Sequence, residues 1–323
     1  MDELKQRKDE SAFEWKLRLC KAKINKEIDA DWIEIVNVLG LDISSDQFRK
    51  VAKGYVEYDD YIHGINNVAT SILSVSDFHV PFQLPYEKLK DYRGIDILEL
   101  NGDIVDCQSL SKFDKTYRIS SMEEIIKGRQ YLIDMIGYLH PKKVVCINGN
   151  HDYRFKNYLA KHLDTDAINL LPNSSLELIF VDGFYNYDKR TKAKTWYEPI
   201  CNIFKDLKIE YLDDWKVKIG KTWFVHPLAY RQGYLATAER AKDYFQDTDK
   251  GAIDCIVMAH THMIGDTKRG YVRLLEQGAF AEVEKMDYLD GRLTKPQKEG
   301  FAIICQDKDG NLIESRTKVV VLN

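Results

Sequence analysis

The chain lacks any long apolar run. Nothing in its 323 residues approaches the roughly 20 consecutive apolar residues that a membrane-spanning helix needs. The N-terminal stretch MDELKQRKDESAFEWK is charged and has no apolar centre, unlike a secretory signal. No membrane partner is expected. An excess of positive charge is lacking too: the net charge is −4, so no global field draws the chain to nucleic acid and any basic face must be local. Cysteine is sparse. Cys20, Cys107, Cys146, Cys201, Cys255 and Cys305 include no CxxC pair, which argues against a zinc ribbon or a redox motif. Several lie inside apolar runs such as VVCI and DCIVMA, as buried reduced thiols do, and a reducing cytoplasmic setting is the expectation. Internal repeats and low-complexity tracts are absent. The 44% hydrophobic and 30% charged composition suits a soluble globular protein. The length suggests about two domains.

Two regions differ in pattern. Residues 1–65 read as helical. SAFEWKLRLCKAKINKEID carries apolar residues near a 3.6-residue period. DADWIEIVNVLGLD gives a second helix, capped by Asp29 or Asp31 and stopped by Gly40, and a third follows Ser44 or Ser45. The third helix carries Arg49, Lys50 and Lys53, candidate nucleic-acid contacts in the outline of a helix-turn-helix. Residues 1–60 hold 11 Lys/Arg against 14 Asp/Glu, so a small helical module that packs on the main domain or dimerises is the competing reading. HGINNVATS, 63–71, reads as a linker, and 66–323 as the second domain. There, short β-branched runs appear: SILSVS, GIDILEL, KKVVCIN, LELIFV, WKVKIG, KTWFVH, AIDCIVMA, GYVRLLEQ, GFAIICQD and TKVVVL. Helical candidates lie between the early ones, the clearest being SMEEIIKGRQYLIDMIGYLH. The order predicts an α/β domain with a strand-rich C-terminal part. DKRTKAKTWYEP, 188–199, is basic and aromatic and reads as a surface loop.

The chemistry gathers where apolar runs end. SILSVS leads into Asp77 and His79, and ILELNGDIVD ends in Asp103 and Asp106. VVCINGNHDYRF delivers Asn150, His151 and Asp152, TWFVHP delivers His226, and CIVMAHTHMIG delivers His260 and His262. Of eight histidines, only His63, His140 and His162 lie elsewhere. In open α/β sheets the C-terminal strand edge is where sites form. Asp, His and one Asn, without thiolate, suit Mn, Fe, Zn or Ni. The donors are too many for one ion with an open position. Two divalent ions about 3.5–4 Å apart would use them all, as in phosphate-cleaving centres.

D-x-H, G-D-x-x-D, G-N-H-D, a lone His and H-x-H, in this order over residues 70–265, resemble the calcineurin-like metallophosphoesterases, and more loosely their phage or prophage members related to DNA-repair exonucleases. The resemblance implies a β-sandwich flanked by helices, leaving 1–65 uncovered as a helix-turn-helix-like module. It implies that Asp77, His79 and His262 bind one metal, that Asn150, His226 and His260 bind the other, and that Asp103 bridges both. The nucleophile would be hydroxide held at the ion pair. His151 would sit over the phosphate and protonate the leaving oxygen, Asp152 would orient His151, and Asp106 would support from behind. Ala259 stands where the family has glycine before H-x-H. Arg154 could reach a phosphate but reads first as a surface salt bridge, and Trp196, Tyr197 and Trp223 read as core or loop packing ahead of a base-stacking platform. The expected activity is a Mn-dependent phosphodiesterase or nuclease, with DNA favoured. The alternatives are a phosphomonoesterase or cyclic-nucleotide phosphodiesterase, and a DNA-binding regulator with a vestigial metal site.

Overall fold

The computed structural model describes residues 2–8, 10–25, 27–111, 119–286 and 296–322, with the backbone alone at residue 2 and over 60–67. It divides into two compact units, Met1–Asn67 and Val68–Asn323.

Among the described residues the first unit has a short 3-10 turn, Asp2–Leu4, and three α-helices, each started by its own side chains. Ser11 and Glu14 exchange bonds with each other's backbone N–H to cap α1 (Ala12–Ile24), and Asp31 and Glu34 do the same for α2 (Trp32–Val38). Ser44 and Gln47 repeat the pattern before α3 (Ser45–Asn67). Each such cap contributes about 1 kcal/mol. Gly40, at φ +62°, ends α2 with a turn that a side chain would strain. Leu19, Cys20, Ile35, Val36, Phe48 and Ala52 form the shared core. Arg49, Lys50 and Lys53 are exposed on α3. The expected linker at 63–71 is mostly helix, since α3 runs to Asn67. One glycine, Gly64, without a proline does not outweigh a long amphipathic run.

The second unit is a two-sheet sandwich. Its strands are β1 (Thr70–Val75), β2 (Ile97–Asn101), β3 (Lys143–Ile147), β4 (Phe184–Tyr187), β5 (Lys194–Tyr197), β6 (Lys208–Leu212), β7 (Lys216–Ile219), β8 (Thr222–Val225), β9 (Cys255–Met258), β10 (Ile264–Arg269), β11 (Val272–Gln277), β12 (Gly300–Gln306) and β13 (Lys318–Val321). One sheet has the order β13-β12-β1-β2-β3-β6, the other β10-β11-β9-β8-β7, and β4 and β5 form a separate hairpin. β1, β2, β3 and β6 run parallel, as do β8, β9 and β11.

Pleating divides each parallel strand between two cores. Ile72, Ile97, Val145, Ala302 and Ile304 meet Phe224, Val257 and Leu275 between the sheets. Leu73, Leu98 and Val144 face outward onto Leu132, Met135, Ile136 and Leu139 of α4 (Ser121–Leu139). The second sheet's outer face packs Ile256, Met258 and Leu274 on Ala238 and Phe245 of the helix Ala236–Thr248. This is the helix-flanked β-sandwich that the resemblance implied.

Two local expectations fail. LELIFV is helical, with a turn of π-helix at Leu178–Asp182. Ser174 accepts the N–H of Glu177, and buried Leu176, Ile179 and Phe180 follow helical spacing, which an apolar run alone does not distinguish from a strand. The expected loop 188–199 is one-third strand, because Lys194–Tyr197 pairs with Phe184–Tyr187. No described helix is long and apolar enough to cross a membrane.

Candidate metal centre

Five strand ends converge. β1, β2 and β3 lie side by side in one sheet, β8 and β9 in the other, and the loop after each carries the donors. Asp77, His79, Asp103, His226 and His262 are each at most 5% exposed. The loops turn sharply to point these groups inward. Asp77 (φ 55°), His79 (44°), Asp103 (53°), His260 (72°) and His262 (53°) all occupy the left-handed region that non-glycine residues avoid. Such conformations cost about 1–3 kcal/mol each and persist only where the surroundings impose them. Close backbone approach completes the framing. A Cβ at Gly149 would collide with the Asp103 carboxylate, and one at Gly102 would lie 2.8 Å from His226 Nδ1.

The atoms form three overlapping groups: Asp77, His79 and His262; Asp103, His226 and His260; and His79, Asp103 and His151. Nε2 of His79 and Nε2 of His262 are 3.0 Å apart, and His262 Nε2 is 3.0 Å from Asp77 Oδ1. His226 Nε2 lies 3.2 Å from Asp103 Oδ2 and 3.3 Å from Asn150 Oδ1. Asp103 Oδ2 is also 3.8 Å from His79 Nε2. With metal–ligand bonds of about 2.1 Å, donors at a right angle sit about 3.0 Å apart and at the tetrahedral angle about 3.4 Å apart. The spacings match donors sharing a cation.

The tautomers fit as well. His79 Nδ1 faces Asp106 Oδ1 at 3.0 Å, and His226 Nδ1 donates to the Asn101 carbonyl at 2.6 Å. Both rings thus commit Nδ1 behind the site and turn Nε2 into it, as metal-bound histidines do. The residues present therefore fit divalent metal on donor chemistry and geometry alike. Burial opposes the charge on His79, yet bonds to Asp106 and Asp77 push it up to about 10. Burial also opposes that on His226, which Asp103 and Asp77 push up to about 9. Asp77 and Asp103 are held below the usual carboxylate range by the facing histidines despite burial. His260 is pushed down to about 3 by burial and by His226.

Asp152 does not orient His151. Its Oδ2 accepts the backbone N–H groups of Asp103 (2.7 Å) and Gly149 (2.9 Å), fixing two loops together. Burial and the neighbouring Asp103 push it up to about 7. The group beside His151 is Asp106, whose Oδ1 lies 2.6 Å from Nδ1 and whose carbonyl lies 3.1 Å from it. One carboxylate thus braces both His79 and His151. Arg154 pairs with a buried carboxylate and not with a surface acid, its Nη1 lying 3.7 Å from Asp106 Oδ1. Its guanidinium donates to the Asp106 carbonyl at 2.8 Å and approaches His151 Nε2 at 2.9 Å. Trp223 stacks on Phe245 at 4.3 Å, and Tyr197 on Phe184 at 5.1 Å.

Beneath the donors the inter-sheet core turns polar. Ser74 Oγ lies 2.5 Å from Glu99 Oε2 and 2.7 Å from Gln277 Oε1. Gln277 Nε2 donates to Ser76 Oγ, which bonds Asp77 Oδ2 at 2.5 Å. No sequence motif marks these supports, which are adjacent only because β1, β2 and β11 share the interior. Burial pushes Glu99 from its usual 4.5 up to about 8. An acid that keeps its proton in the fold while the unfolded chain releases it loses stability as pH rises from about 4.5 to about 8. Glu99→Gln is therefore expected to raise the thermal midpoint of the metal-free protein near pH 8 and to leave it near wild type at about pH 5. Melting curves in EDTA at both pH values check this.

The family model of the calcineurin-like phosphoesterases matches residues 70–263. No curated protein matches significantly. Among solved structures, the chain is similar to vacuolar protein sorting 29 from Cryptosporidium parvum (13% identity, TM-score 0.37, covering 79% of this chain and 98% of that one). It is also similar to the wild-type Entamoeba histolytica protein of that name complexed with zinc (13%, 0.37, 78% and 98%). A third is an archaeal phosphodiesterase (16%, 0.31, 78% and 100%). With the ordered donors from both sheets and a family model spanning more than half its length, the chain belongs to the calcineurin-like phosphoesterases, a family of metal-dependent hydrolases.

Proposed function

We propose that the chain is a two-metal phosphodiesterase that cleaves nucleic acid, with Mn as the working ion. The observation that carries the phosphoesterase reading is the ring of donors around Asp103, drawn from five strand ends and backed by Asp106 and Asn101. Asp77, His79 and His262 would hold one ion, Asn150, His226 and His260 the other, and Asp103 would touch both. When bound, the ions supply Lewis-acid charge stabilisation and a water of lowered pKa. Donors without thiolate favour Mn, with Fe, Zn and Ni sharing that chemistry.

His151 acts at the leaving oxygen. Its Nδ1–H is held by Asp106, so Nε2 is the atom that gives a proton. Burial lowers its proton affinity, and Nε2, which accepts from Arg154, would take a proton from water before passing it to the leaving oxygen. Arg154 would leave Nε2 for a phosphate oxygen as the ester enters, opening His151 to the substrate. Nucleic acid is favoured by the helical unit, which presents Arg49, Lys50 and Lys53 to solvent. The two-part layout suits the phage-type relatives of DNA-repair exonucleases, and the free cysteines suit a cytoplasmic setting.

An activity panel in Mn²⁺ tests this. It compares bis-p-nitrophenyl phosphate, p-nitrophenyl phosphate, cyclic nucleotides, and single- and double-stranded DNA. Turnover of the diester and of DNA is expected. Activity confined to the monoester or to cyclic nucleotides would contradict the nuclease reading, and no turnover of any substrate would leave a vestigial centre.

A further inference from the structure

The β4–β5 hairpin has two chemically different faces. Its register pairs Phe184 with Tyr197, Tyr185 with Trp196 and Tyr187 with Lys194. Alternate residues point to opposite faces. Phe184 and Tyr197 stack on each other and join the core. Arg129 of α4 lies over the Tyr197 ring at 5.6 Å and donates to the Glu198 carbonyl at 2.8 Å. These contacts anchor the hairpin's base.

The other face carries Tyr185, Tyr187 and Trp196, exposed at 52%, 52% and 46%. The rings of Tyr185 and Trp196 are 4.7 Å apart, and Lys194 Nζ sits 3.8 Å from the Tyr185 centroid. The connecting turn adds Lys189, Arg190 and Lys192, all exposed. The one acid between 188 and 194, Asp188, is turned onto its own backbone, with Oδ1 accepting the N–H groups of Arg190 and Thr191 at 2.8 and 3.2 Å. Three open rings and four cations therefore share one small projection of a chain whose net charge is −4.

Rings alone would suit many partners; the cations select a polyanion. A duplex buries its base faces, whereas a single strand offers a ring and a phosphate at every step. We propose that the β4–β5 hairpin is a platform for single-stranded nucleic acid. Tyr185, Tyr187 and Trp196 stack on bases, and Lys189, Arg190, Lys192 and Lys194 meet phosphates. The proposal rests on the nucleic-acid reading of the metal centre for what the held strand is for, and its test does not depend on that centre.

The test is fluorescence anisotropy of labelled oligo-dT with full-length protein in EDTA, where no strand is cut. Wild type is expected to bind, with affinity falling steeply as salt rises and tryptophan emission quenched. Tyr185→Ala with Trp196→Ala should weaken binding by about tenfold or more, the scale of losing base stacking. Lys192→Glu with Lys194→Glu should weaken it as well and flatten the salt dependence. Melting midpoints near wild type would show both variants folded. Unchanged affinity in both folded variants, or wild type binding anionic lipid vesicles and not oligo-dT, would overturn the proposal. Hydrolysis of bis-p-nitrophenyl phosphate by wild type is measured separately: its failure counts against the metal centre, and failure of oligo-dT binding against the hairpin.

Discussion

Asp103→Asn is expected to abolish metal-dependent turnover. Asp103 is 1% exposed, and its Oδ2 lies 3.2 Å from His226 and 3.8 Å from His79, the groups that lead into the two donor sets. Its other oxygen accepts the N–H of His151 at 2.7 Å. Asparagine can keep that last bond, so the loop should remain in place. It cannot keep the charge. An amide nitrogen turned toward His226 and His79 brings protons where cation-binding lone pairs are needed, and one neutral oxygen cannot neutralise two divalent ions. A loss of about a thousandfold or more in kcat/KM corresponds to roughly 4 kcal/mol of lost transition-state stabilisation. Rates on bis-p-nitrophenyl phosphate in Mn²⁺ measure it, with bound metal determined on the same samples. Retention of more than about a tenth of the wild-type rate would remove Asp103 from the centre of the account.

His151→Ala is expected to separate binding from chemistry. The ring is 5% exposed, and its nearest carboxylate, Asp106, also braces His79. Removing the imidazole leaves Asp106 with His79 and leaves the donor set intact. Metal should stay bound while the rate falls by about 10²–10⁴, the usual contribution of a positioned proton donor. The loss should be largest for substrates with poor leaving groups, which need the proton most. Metal analysis beside steady-state rates on p-nitrophenyl and alkyl diesters checks this. A variant that purifies without metal would make His151 a ligand. Asp106→Asn should lose rate and metal affinity together, since it frees both rings.

The convergence of the candidate donors was legible because each sits one to four residues beyond an apolar strand, and because D-x-H and H-x-H place two of them on one short loop. Their backbone is not that of an extended chain, however. The left-handed turns at Asp77, His79, His260 and His262 aim the side chains. The division of labour between Asp106 and Asp152 was not legible. Both follow a donor by a few residues, and only the packing of the β2 and β3 loops decides which reaches an imidazole and which reaches backbone N–H groups. The polar layer of Ser74, Ser76, Glu99 and Gln277 was hidden because its members come from three strands far apart in sequence. The partition into two sheets was hidden too, since β1, β2 and β3 of one sheet and β8, β9 and β11 of the other are mostly buried on both faces and read alike. The hairpin was half seen. Its basic and aromatic composition was visible, but not the register that sorts Phe184 and Tyr197 inward from Tyr185 and Trp196.

The central claim is that two cations share Asp103. The most direct measurement is the metal content of the chain after loading with Mn²⁺ and removal of free ion, for wild type and Asp103→Asn in parallel. The account predicts two Mn per wild-type chain and a deficit in the variant that tracks its lost rate; a single Mn per wild-type chain at full activity would contradict it.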